Sequence, residues 1–95
     1  MPSPRARADA FCQRFGLRVP ILSAPMAGAC PVELAVAVAD AGGMGALGAL
    51  LTDPAGILDW AAGFRRRSNG AFQINLWVPD PPPVRDATQE DAARA

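Results

Sequence analysis

Apolar positions along this chain switch between two periods, and each switch marks a new element. Phe11 and Phe15 stand four apart, which predicts a short helix over Ala8–Gly16 with Gly16 as its stop. Ile21 and Leu22 form the apolar body of a strand over Val19–Ala24, opened by Pro20, since a first strand position tolerates a missing N–H. Pro31 occupies a first helical position, with Glu33 in the first turn. Val32, Ala35, Val36 and Ala39 then recur at helical spacing. Leu34, Ala37 and Val38 make the other face apolar too, which predicts cover on more than one side before Gly42-Gly43 ends the helix. A second strand is expected over Met44–Leu50. Asp53-Pro54 caps and starts the next helix, whose inner face is Ile57, Trp60, Ala61 and Phe64 and whose end is Arg65-Arg66-Arg67. After the turn Ser68-Asn69-Gly70, a third strand spans Ala71–Val78, and Pro79-Asp80-Pro81-Pro82-Pro83 breaks it. A last helix is expected over Thr88–Ala95, with a weak capping box between Thr88 and Asp91.

The order β-α-β-α-β-loop-α implies an α/β fold with parallel strands and right-handed crossovers. In such folds ligands bind beyond the carboxyl ends of the strands. The first strand runs straight into Ser23-Ala24-Pro25-Met26-Ala27-Gly28, a loop nearly bare of side chains. A loop of this kind lets backbone groups approach a flat ligand. Met26 reads either as loop filler or as a soft cap over an aromatic ring. In the third strand Gln73, Asn75 and Trp77 share one face and Phe72, Ile74 and Leu76 the other. Strands of a parallel sheet are usually apolar on both faces, so the two amides need partners. Asn75, near the carboxyl end, can donate and accept to a heterocycle's edge; alternatively Gln73 and Asn75 bond each other or nearby backbone. Gly43-Met44-Gly45-Ala46-Leu47-Gly48 has the spacing of a dinucleotide fingerprint, but it leaves a helix and enters a strand, the reverse of what that fingerprint requires. Its glycines instead thin the second strand so that a helix or a ligand can lie close.

Composition narrows the chemistry. Of 95 residues, 51% are apolar, which argues for a globular class, and 9 basic residues balance 9 acidic ones, which gives no footprint for nucleic acid or membrane. All the basic residues are Arg, and there is no His or Tyr. Cys12 and Cys30 lie far apart without His, so no metal site is expected, and isolated thiols suit a reducing, cytoplasmic setting. Cys30 stands at a helix start, a setting that favours a nucleophilic thiolate, but it lacks a His to act as its base. The arginine run reads as a solvated helix end, with phosphate binding as the lesser alternative, and the proline stretch as a loop rim rather than a docking peptide. Residues 1–8 are expected to be a flexible N-terminus, without the apolar core of a secretory signal.

Phe11…Phe15-Gly16-Leu17…Pro20-Ile21-Leu22-Ser23-Ala24-Pro25-Met26-Ala27-Gly28 resembles the opening of the nitronate monooxygenases, formerly called 2-nitropropane dioxygenases. The resemblance continues through Glu33-Leu34-Ala35…Gly42-Gly43-Met44-Gly45 and Gln73-Ile74-Asn75-Leu76-Trp77, and Pro79-Asp80-Pro81-Pro82-Pro83-Val84-Arg85 looks like a subgroup's loop. It implies a TIM barrel that binds FMN and oxidises alkyl nitronates with O2 to a carbonyl compound and nitrite. It places Ala24, Pro25 and Met26 at the flavin ring and has Asn75 hydrogen-bond FMN through its side chain. A TIM barrel needs about 250 residues and eight strands. Residues 9–95 are therefore expected to be the first three βα units of a partial (β/α)8 barrel, with a short N-terminal helix and a catalytic base beyond Ala95. Two alternatives stand beside this reading. One is a flavin-dependent enoyl-ACP reductase, which shares the barrel and a similar opening. The other is a non-catalytic remnant whose open sheet edges predict self-association and weak FMN binding.

Overall fold

The computed structural model describes residues 1–94; Ala95, the expected end of the last helix, lies outside the described residues. Six elements follow in order: α1 (Pro4–Phe15), α2 (Val32–Asp40), β1 (Met44–Gly48), α3 (Pro54–Arg67), β2 (Ala71–Asn75) and α4 (Ala87–Arg94). The first helix begins four residues earlier than its aromatic spacing suggests. Ser3 caps it by accepting the Ala6 N–H at 3.1 Å, and Pro4 fits its first turn. Gly16, at φ 69°, closes it in the left-handed conformation that suits glycine. Asp53 caps α3 through the Gly56 N–H at 2.7 Å. Asp86, rather than Thr88, caps α4 through the Gln89 N–H at 3.1 Å.

β1 and β2 pair in parallel, with Met44 opposite Ala71 and Gly48 opposite Asn75. The expected first strand, Val19–Ala24, is reduced to a single parallel bridge between Leu22 and Met44. Met44 N–H donates to Ile21 O at 2.9 Å, and Ser23 N–H donates to Met44 O at 2.9 Å. The ladder goes no further: Ser23 O accepts from the Gln73 side chain and not from a β1 N–H, and Pro25 has no N–H for a later rung. On the other side, the N–H groups of Arg18 and Val19 both turn to Gly42 O. The strand order is thus residues 21–23, β1, β2, all parallel. β2 stops at Asn75 instead of Val78 because its partner ends: Ala49 N–H donates to Asn75 O at 3.0 Å, and the chain then turns at Thr52.

β1 is buried along its whole length, and its glycines explain how. A Cβ on Gly45 would stand 2.8 Å from both the Cβ and the carbonyl oxygen of Ala35 on α2. One on Gly43 would meet Ile21 O at 2.6 Å. Helix and segment therefore lie directly on the strand backbone. The core on this side is Ala35, Ala39 and Phe64, with Val32, Val36, Trp60 and Phe72 packed around them. Phe64 is fully buried; its ring lies 4.6 Å from Phe72 and 5.8 Å from Trp60, centroid to centroid. Burying one such ring removes roughly 1.5–3 kcal/mol of unfavourable exposure. The apolar stripe of α2 faces this core as its spacing predicts, but its other face is covered only in part: Leu34 and Ala37 are exposed, while Val38 is half-buried beside Gly43.

A second cluster sits at the amino ends of the strands. Cys12 and Leu17 pack on Met44, with Phe11 and Ala71 beside them. Met44 and Ala71 begin β1 and β2, so α1 and the residues after it cover the amino ends of the strands. The assembly stays open elsewhere. Its radius of gyration is 19.0 Å, against about 12 Å for a compact domain of this length. α4 buries nothing, and Leu51, Trp77, Val78 and Val84 are exposed. Among the described residues no helix is long and apolar enough to cross a membrane.

An exposed ion pair, Arg67 with Glu33 at 2.9 Å, ties α3 to α2. The hydrogen bond from Arg67 holds the Glu33 carboxyl below its ordinary value. A lowered carboxylate adds its stability above that value and loses it as pH falls. Arg67→Ala should therefore raise the Glu33 titration midpoint toward 4.5 in an NMR pH series; an unmoved midpoint would rule the pair out. Gly45→Ala should cost about 1–3 kcal/mol in urea unfolding, because the added methyl meets backbone and not a flexible side chain; an unchanged midpoint would show that α2 does not lie on the strand.

Candidate functional site

The carboxyl ends of the strands bring the sequence-selected residues together. The loop Ala24–Gly28 leaves the bridged segment and folds over the end of β1. There Gly48 makes room for it: a Cβ at Gly48 would lie 2.7 Å from Ala27 N and 2.8 Å from the carbonyl carbon of Met26. Gly48 is paired with Asn75. The bare loop and the amide of β2 therefore flank one glycine, from the two sides of β1. The sixth position of the apparent dinucleotide fingerprint serves as this seat for backbone, and the stretch that carries it is a strand, as its context predicts.

Cys30 fixes the loop from below. Its thiol accepts the Met26 N–H at 3.0 Å, and its own S–H points to Ala24 O at 3.8 Å. Its carbonyl accepts the indole N–H of Trp60 at 2.9 Å. Cys30 is buried against Leu47 and Ala49. Both capacities of the sulfur are spent on backbone, which gives it a structural task in place of the nucleophile considered above. A turn closes the loop, with Ala29 N–H donating to Met26 O at 3.0 Å. Ala24 and Met26 are exposed, Met26 at 44%, and Pro25 is half-buried. The N–H groups of Ala24, Ala27 and Gly28 have no protein acceptor among the described residues.

The two amides of β2 divide their tasks. Gln73 reaches across β1 and donates to Ser23 O at 3.4 Å, so it bonds neighbouring backbone. Asn75 is exposed, and its side-chain amide has no protein partner among the described residues. Phe72, on the opposite face, packs against α3 and sits under the Arg65 guanidinium at 5.4 Å. The Gln73–Asn75 face is therefore the one turned away from the helices. Trp77, expected on that same face, lies beyond the end of the strand.

A cavity of about 390 Å³ adjoins the loop, lined by Gly28, Cys30, Pro31, Leu47, Gly48 and Thr52. A slightly larger one, about 420 Å³, lies at the other end of the strands between Arg65–Arg67, Asp40 and Ser68–Gly70. Its arginines are partly engaged: Arg67 holds Glu33 and Arg65 covers Phe72. Asp40, bonded by Ser68 Oγ at 2.7 Å, adds a negative charge there. This second hollow offers a poor setting for a phosphate. No group of three or more His, Cys, Asp or Glu side chains is gathered for a metal ion among the described residues.

The loop backbone, the unpaired ledge amides and the free Asn75 side chain suit a planar heterocycle with a carbonyl and N–H edge. They supply hydrogen bonds and a flat apolar rest at Met26. No acid or base stands among them.

No protein-family model and no curated protein matches this chain. Solved structures do. It is similar to FabK from Thermotoga maritima at 29% identity, over 70% of this chain and 21% of that one, with a TM-score of 0.67. A point mutant of the same protein aligns at 28% identity over 76% and 24% of the two chains, with a TM-score of 0.70. The chain thus spans about a fifth to a quarter of the length of these structures. Its described residues form an α/β fold with a two-stranded parallel sheet and four helices, and the similarity to a TIM-barrel protein fits a partial barrel.

Proposed function

We infer that this chain supplies the flavin-ring side of the site in an FMN-dependent barrel oxidoreductase. The observation that carries this reading is the convergence at Gly48 of the Ala24–Gly28 ledge and the unpaired Asn75 amide. The covered amino ends of the strands support it, because α1 leaves the carboxyl ends as the accessible mouth. So does the likeness to FabK, a flavin-dependent enoyl-ACP reductase.

Ala24, Pro25 and Met26 would pack along the ring, and free N–H groups of the ledge would donate to its polar edge. Asn75 would hydrogen-bond it from β2. When bound, FMN supplies two-electron redox chemistry. The residues here bind and orient. Cys30 and Gln73 keep the ledge in register with β1, and Gly48 keeps the gap between ledge and strand free of side chains.

For the reaction, the sequence resemblance favours oxidation of an alkyl nitronate by O2. The likeness to FabK favours reduction of an enoyl thioester on a carrier protein, and it weighs slightly toward this second reading. NAD(P)H separates them. A complete barrel carrying this segment would convert propyl nitronate without NAD(P)H under the first reading. Under the second it would oxidise NAD(P)H only when an enoyl thioester is added.

The site itself is tested on the chain as it stands. Millimolar FMN should shift the amide NMR signals of Ala24, Met26, Ala27, Gly28 and Asn75. Asn75→Ala should weaken that binding about tenfold, the equivalent of about 1.4 kcal/mol for one hydrogen bond to the ring. Shifts confined to Arg65–Gly70 would place the ligand at the wrong end of the strands and end the proposal.

A further inference from the structure

The ledge is held chiefly from outside the sheet. The segment's backbone links to β1, from Ser23 N–H to Met44 O and from Met44 N–H to Ile21 O, both lie before the ledge, at its near end. From Pro25 onward the rungs stop. What fixes the far end is α3: the Trp60 indole N–H donates to Cys30 O at 2.9 Å, thirty residues away in sequence. The same indole packs against both core clusters on this side. It touches the group of Cys30, Leu47 and Ala49, and also the group of Ala35, Ala39 and Phe64. Its ring stacks on Phe64 and meets Phe72 edge-on, at 5.4 Å between centroids. The ledge, the strand that carries Asn75, and α3 are thus joined through one side chain. Cys30 passes the constraint on, since its sulfur takes the Met26 N–H.

We propose that Trp60 is a positioning residue for the cofactor site. Its hydrogen bond to the Cys30 carbonyl sets where residues 24–30 lie relative to Gly48 and Asn75. The proposal rests on the flavin reading for its purpose, but its physical content, a latch from α3 to the ledge, can be tested without flavin. A neutral N–H bonded to a carbonyl in a partly dry setting contributes modestly to stability, while it restricts direction strongly. Losing it should loosen the ledge and leave the fold.

Two buried thiols give the measurement its control. Cys30 lies under the ledge and Cys12 lies in the α1 cluster. In Trp60→Phe, the Cys30 thiol should react with Ellman's reagent at least tenfold faster, as assigned by peptide mapping, while Cys12 keeps its wild-type rate. Ile57→Ala, which thins the same cluster without touching the hydrogen bond, should leave the Cys30 rate within threefold of wild type. A rise at both cysteines would mean general loosening, and no rise at Cys30 would mean no latch; either result overturns the proposal. So does an equal rise in Ile57→Ala. The wild-type chain gives a second reading that needs no variant. The Trp60 indole N–H should exchange with solvent at least tenfold more slowly than that of Trp77, which is 70% exposed, and equal rates would also overturn the latch. With FMN present, Trp60→Phe should shrink the shifts at Met26 and Ala27 more than those at Asn75. Absence of any FMN shift in the wild-type chain would remove the cofactor reading, with the thiol rates still deciding on the latch.

Discussion

Backbone laid directly on backbone is the constraint from which the rest of this structure follows. β1 and the residue before it contribute three glycines, and the place of each missing side chain is filled by a different neighbour: Ile21 O at Gly43, Ala35 of α2 at Gly45, and the Met26–Ala27 peptide at Gly48. The strand acts as a spine with almost no side-chain thickness. That closeness sets the height of α2, keeps the 21–23 segment within hydrogen-bond reach, and lowers the ledge to the level of Asn75. A Cβ at any of the three positions would push one of these parts outward. The site is a by-product of the same thinness that packs the helix.

Around the spine, the burial is asymmetric. Phe64, Phe72 and Trp60 form an aromatic wedge on the helix side, and Ala35 and Ala39 let α2 sit close enough to share it. The opposite face of β2 carries two amides. One, Gln73, is used internally to hold Ser23, and the other, Asn75, is left free. A free amide beside a backbone ledge is chemically specific in a way that either feature alone is not. Together they offer donors, an acceptor and a flat contact at one place.

Much of this was legible in the residues, and the misses have definite causes. The stripe Val32-Ala35-Val36-Ala39 and the face Ile57-Trp60-Ala61-Phe64 both point where their spacing says. Asp53 and Gly16 cap as their types predict. The glycine run was readable as a thinned strand because it follows a helix. The first strand failed as a strand because hydropathy does not count hydrogen-bonding groups: Ser23 O goes to the Gln73 side chain, and Pro25 has no N–H to offer. β2 proved shorter than its apolar run because a strand ends with its partner, which no local pattern reports. How much of the second face of α2 is covered likewise depends on neighbours that its sequence cannot name. Within the candidate site, the loop was selected for its side-chain poverty and Asn75 as an amide expected inside a parallel sheet; the structure brings the two together but leaves Asn75 exposed, because β2 has no further strand beside it. Cys30 and Trp60 were noticed for other reasons, one as a thiol and the other as core. Their joint task depends on a contact across thirty residues, for which periodicity carries no signal.

The packing of α1 has a consequence in time. Phe11, Cys12 and Leu17 rest on Met44 and Ala71 together. During synthesis this helix is made before either strand, yet Ala71, part of its landing surface, opens the later strand β2. Docking must therefore await strand pairing, at the cost of closing a long loop. Made ahead of the strands it covers, α1 is a late-arriving lid on the floor of the sheet, and its arrival reports that β1 and β2 have already met in register.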